Sequence, residues 1–137
     1  MKNRIRRIIK RISILLDIDA PKIIFTNEAI SYYTYGVIHI SFSNNFKKML
    51  FLALHELRHH YQYVYMISNM DSISNLISYE MNHAVEYKES YIEGDAYFFS
   101  SYVMNEILKM DYTVSKDTKD IILTFLKKHS FHFFYRE

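Results

Sequence analysis

The stretch MLFLALHELRHHYQY, residues 49–63, decides how the rest of the chain reads. Leu50, Leu54, Leu57 and Tyr61 recur every three or four positions, and Val64 continues the series. That is the period of one buried helical face. Asn44 and Asn45 stand just upstream with capping chemistry, and the polar SNMDS (68–72) follows, so a helix is expected over 46–68. On it, His55 and His59 are one turn apart on the same face. Two imidazole nitrogens so placed can meet one metal ion at about 2.0–2.1 Å. Glu56 is rotated by about 100° from His55, so its carboxylate reaches a water beside such an ion rather than the ion. There it can take the water's proton as that water attacks a carbonyl. The pattern H-E-x-x-H thus gives each residue type a separate task.

Upstream, Ile5, Ile8, Ile9, Ile12, Leu15 and Leu16 recur at helical spacing with basic residues between them, which predicts an amphipathic helix over 2–16. Pro21 ends that segment. KIIFT (22–26) is β-branched and aromatic and reads as a strand. AISYYTYGVIHISFS (29–43) reads as two strands of a hairpin turning near Gly36. Its strand VIHIS (37–41) is expected to offer a free sheet edge to an extended peptide. Downstream, helical patterning runs over 75–109 with one break, and a last helix over 117–129 precedes the aromatic tail FHFFYRE. The order of helix, small antiparallel sheet and further helices predicts an α+β fold. It is read as one domain over 1–137: a basic helix (1–16), a core (22–110), and a C-terminal helix with its tail (111–137).

Composition narrows the chemistry. The chain has 137 residues, half of them hydrophobic, enough for one real core. There is no cysteine, which excludes disulfides and thiolate ligands, so any zinc must be held by histidine and carboxylate. The longest apolar run, MLFLAL, is far short of a membrane span. The basic start lacks a small-residue cleavage site. A soluble, cytoplasmic protein is expected. Six of the 17 basic residues lie in the first 11 positions, and all 15 acids follow residue 16. A basic amphipathic helix can meet nucleic acid or a membrane surface. The commoner arrangement buries its apolar face and leaves the charges solvated, so nucleic acid is not the partner expected.

A catalytic zinc keeps three protein ligands and one open position. The candidates for the third are Glu86, Glu89, Glu93 and Asp95. The three glutamates are spaced three and four apart and so share one helical face, while Asp95 is about 200° round from Glu93, so Glu93 and Asp95 cannot both ligate.

The segments HELRHHYQ and YIEGDAYFF together resemble the small gluzincin-type metallopeptidases, including minigluzincins and the HELRH-containing peptidases of phages and mobile elements. The resemblance covers roughly residues 22–105. It implies a zinc peptidase acting on a peptide or protein substrate, with Glu56 as general base. It also implies a third ligand three residues before an alanine. Here that is Glu93 of Glu93-Gly94-Asp95-Ala96, joining His55 and His59. Several such relatives carry Asp directly after the alanine, to hold a zinc histidine. This chain has Tyr97 there, which leaves Asp95, Glu89 or a backbone carbonyl for that task.

Gly94 is read as a close approach of the two metal-bearing helices or as a helix break. Arg58 is expected to pair with an acid on the glutamate helix. His39, His60, His83, His129 and His132 are not expected to ligate, and His83, Tyr87, Tyr91 and Tyr97 are candidate oxyanion donors. Two alternatives to a peptidase are a catalytically silent zinc-binding regulatory protein and a basic-arm nucleic-acid or membrane binder.

Overall fold

A computed structural model describes residues 1–135. The chain opens with α1 (Lys2–Leu15), followed by strands β1 (Lys22–Thr26), β2 (Tyr32–Thr34) and β3 (Val37–Ser41). Then come α2 (Phe46–Ser68), α3 (Ser72–Asn82), a short 3-10 turn (Tyr87–Glu89), α4 (Tyr91–Tyr102), a π turn (Val103–Ile107) and α5 (Lys116–Lys128). The architecture is α+β, as the residue pattern predicts.

The sheet is mixed rather than antiparallel. β2 and β3 form the expected hairpin, with Tyr32 opposite His39 and Thr34 opposite Val37. Its tight turn places Tyr35 at φ 42° and Gly36 at φ 87°, the left-handed pair that a two-residue hairpin turn needs. β1 pairs with the other side of β3 in parallel register, Ile23 opposite Ile38. The order is therefore β1-β3-β2, and VIHIS is the central strand, not a free edge. The cause is burial. Ile38 and Ile40 are both fully buried, while β2 has no fully buried residue. The most apolar strand takes the middle, and its polar face carries His39 stacked on Tyr32.

α1 lays Ile5, Ile8, Ile9 and Ile12 into the core and leaves its charges outside. Arg4 stacks on Phe46 and Arg6 on Phe25. α2 is the central element, with Leu50, Leu54 and Leu57 fully buried. Asn45 caps it, accepting from the Lys48 amide. The patterning over 75–109 resolves into two helices, since the chain leaves helical geometry between His83 and Ser90. No helix among the described residues is long and apolar enough to cross a membrane.

Candidate metal centre

Three side chains meet where α2 crosses α4. His55 Nε2 lies 3.0 Å from Glu93 Oε1, His59 Nε2 lies 3.1 Å from the same oxygen, and the two nitrogens are 3.0 Å apart. They are the one His/Asp/Glu group among the described residues with metal-holding proximity. The four-residue spacing on α2 sets the two imidazoles edge to face, 4.6 Å between ring centres. α4 supplies Glu93 from its first turn. That turn is fixed twice, by Ser90 accepting from the Glu93 amide and by Glu80 of α3 accepting from the Tyr91 and Ile92 amides. A carboxylate at a helix N-terminus satisfies free N–H groups and meets the positive end of the dipole.

Glu86 and Glu89 are not on the helix that carries Glu93. Glu86 precedes the 3-10 turn, and Glu89 pairs with Lys128. The continuous acid face expected from spacing does not exist, because the helix starts only at Tyr91. Asp95 is turned away from the triad and wholly buried, where it takes the Arg58 guanidinium, Nε at 2.8 Å and Nη2 at 3.2 Å. The expected ion pair of Arg58 is thus present, with Asp95 as its acid. Arg58 also donates to the carbonyls of His132 and Phe133, and Tyr135 OH donates to Asp95.

Electrostatics follow from burial and contact. Burial pushes the Glu56 carboxyl up to about 7, His59 opposing and Glu93 adding to the rise. Burial and the charge of His59 lower His55 to about 4. Burial would lower His59 too, but its hydrogen bond to Glu93 and that carboxylate's charge carry it to about 9. Burial would raise Glu93, yet the two imidazoles outweigh it and hold the carboxyl well below the usual range. The chain alone therefore keeps one proton among three donors that face a common point.

The triad and Glu56 line a cleft of about 380 Å³, together with Ile30, Tyr32, Tyr33 and Tyr87. Glu56 Oε1 is 4.0 Å from His55 Nε2, close enough to serve the same cleft without joining the triad. β2 forms the wall, so its outer edge, not that of β3, is the strand edge beside the site. Tyr97 packs on the His55 ring at 4.1 Å and bonds Tyr87 through the hydroxyls at 2.7 Å. Tyr91 points instead to Phe125 and His129, and His83 stacks on Tyr79. His60 meets the Tyr33 hydroxyl at 2.7 Å.

No protein-family model, curated protein or solved structure matches this chain.

Two residues that position the triad lie outside the motif. Gln62 Oε1 is 2.9 Å from His59 Nδ1. Its place three residues after His59 was visible in the spacing. Glu80 gave no signal, since its acceptors' partners lie on another helix. Gly94 does not serve the approach of α2 to α4, nor does it break α4. A Cβ there would stand 2.5 Å from the Phe125 Cβ, so the close neighbour is α5.

Proposed function

We propose that this chain is a zinc-dependent metallopeptidase, with His55, His59 and Glu93 as ligands and Glu56 as general base. The observation that carries the reading is the convergence of three donor atoms 3.0–3.1 Å apart on a cleft that also holds Glu56. The donor set fits the ion. Donors about 2.0–2.1 Å from a tetrahedral zinc stand about 3.3 Å from one another, and two imidazoles with one carboxylate are a ligand set of catalytic zinc. The resemblance to small gluzincin-type peptidases supports the same assignment.

Zinc supplies a polarised carbonyl and a water that ionises near neutral pH. The chain's residues do the rest. Glu56, raised to about 7 by burial, can take a proton near neutrality and return it to the departing amine. Tyr87 lines the cleft with its hydroxyl hydrogen-bonded to that of Tyr97. The outer edge of β2 offers backbone groups to an extended peptide, which suits strand addition.

Glu56→Gln tests the reading. It retains the shape and the zinc but cannot accept the proton, so cleavage of an unfolded protein substrate falls by about 10²–10⁴-fold. Mass spectrometry of products from matched zinc-loaded samples reads the difference. Equal cleavage by both proteins removes Glu56 as the base. A zinc-loaded wild type that cleaves nothing favours a silent zinc scaffold. Metal analysis of His59→Ala and Glu93→Ala reads the ligands independently, with loss of zinc expected in each.

A further inference from the structure

We infer that Gln62, held by Asp95, is a positioning residue that fixes the ring of His59 for metal binding; this rests on the zinc reading above. Gln62 lies one turn beyond His59 and is almost fully buried. Its amide nitrogen faces two acceptors, the Ile92 carbonyl and Asp95 Oδ2, both at 2.9 Å. Neither has a proton to offer, so the nitrogen end must face them and Oε1 must face His59. An amide oxygen only accepts, so His59 Nδ1 carries the hydrogen. With Nδ1 so committed, the proton that a metal displaces is the one on Nε2, and the lone pair it uncovers points toward His55 and Glu93, the form a metal requires.

Asp95 cannot turn away from this task. Arg58 holds it in a two-point contact, and Arg58 is itself held by the tail carbonyls of His132 and Phe133. The C-terminal tail thereby reaches the His59 ring through Arg58, Asp95 and Gln62. His55 has no counterpart: its Nδ1 is buried with no hydrogen-bond partner among the described residues. The two histidines are unequal, and the amide-held one is His59.

The test uses the full chain, with zinc affinity from chelator competition and proton NMR of the cobalt(II)-loaded form. In wild type the ring N–H of His59 is expected to exchange slowly with water, because Gln62 Oε1 holds it at 2.9 Å. Gln62→Met keeps the length but removes the acceptor, and zinc affinity is expected to fall about 10–100-fold, with that N–H signal lost to fast exchange. Gln62→Glu keeps an oxygen on His59 but sets its other oxygen against two acceptors, the Ile92 carbonyl and Asp95 Oδ2, so it should fall below wild type in affinity yet retain the N–H signal that Gln62→Met loses. Wild-type affinity with an unmoved signal in Gln62→Met overturns the inference. Equal losses in both variants with the N–H signal intact assign Gln62 to packing and overturn it as well. A wild-type chain that takes up neither zinc nor cobalt overturns the metal reading first, and this inference with it.

Discussion

At the scale of single residues, one oxygen, Oε1 of Glu93, faces two imidazole nitrogens that also face each other. Two lone pairs cannot share that point without a cation, so the chain alone retains a proton there. His59 keeps it up to about 9, while His55 is neutral down to about 4. A metal ion must displace this proton. Apparent zinc affinity should therefore rise about tenfold per pH unit across neutrality and level off above about 9. Competition titrations at several pH values would read the slope, and a flat profile would place the proton elsewhere. Glu56 carries the opposite tension. Its folded pKa, about 7, lies above its ordinary 4.5. The folded chain thus binds that proton more tightly than the unfolded one. The resulting stability is complete below about pH 4.5 and lost as pH rises through about 7. Removing the charge with Glu56→Gln should stabilise the metal-free protein at alkaline pH by roughly 1–3 kcal/mol and add little in acid. Urea unfolding at two pH values checks the sign.

At the scale of elements, what could be read from sequence was whatever lay within one periodic segment. α2 falls on its expected bounds because apolar period, cap and loop all agree there. The histidine pair and Glu56 came with it. The sheet order was not legible, since β1 joins β3 across the hairpin, and a pairing between distant segments leaves no local period. The glutamate face failed for a related reason. The run from Ser72 to Tyr102 has helical composition throughout, and only Ser90 with the remote Glu80 marks where α4 begins. Gly94 is the other case, because its neighbour is 31 residues away in sequence on α5. Gly94→Ala tests that contact. Alanine favours a helix interior by about 1 kcal/mol over glycine. Against this, a methyl placed 2.5 Å from the Phe125 Cβ meets an atom fixed to the α5 backbone, so the helices must part. Overpacking of this kind costs about 1–3 kcal/mol, and net destabilisation is expected. A denaturation midpoint at or above that of the wild type would show that α5 yields freely.

At the scale of the whole molecule, the ends of the chain close the core around α2. Ile5, Ile8 and Ile9 enter it from α1, and Tyr135 enters it from the tail. The basic face of α1 is thus the outer side of a core helix. The tail does more than cover surface. Arg58 is fully buried, ringed by Tyr61, Phe99, Phe131 and Tyr135 at 4.5–5.3 Å, and two of its hydrogen bonds end on tail carbonyls. A chain ending at Ser130 loses both acceptors, two of the rings and the Tyr135 hydroxyl on Asp95. Hydrogen bonds to a charged group contribute about 1.5–3 kcal/mol each, so the two carbonyls alone represent about 3 kcal/mol or more. That is a large share of the roughly 5–15 kcal/mol that holds a small domain folded. The shortened chain is expected to unfold at lower urea and, where still folded, to bind zinc more weakly, because Asp95 no longer holds Gln62 firmly. Arg58→Met in the full-length chain separates the two effects. It removes the buried charge but leaves Asp95 without its cation, so it should weaken zinc binding even if the tail stays packed. Unchanged zinc affinity in both proteins would show that the tail supports the fold alone and that the triad is held by α2 and α4 without it.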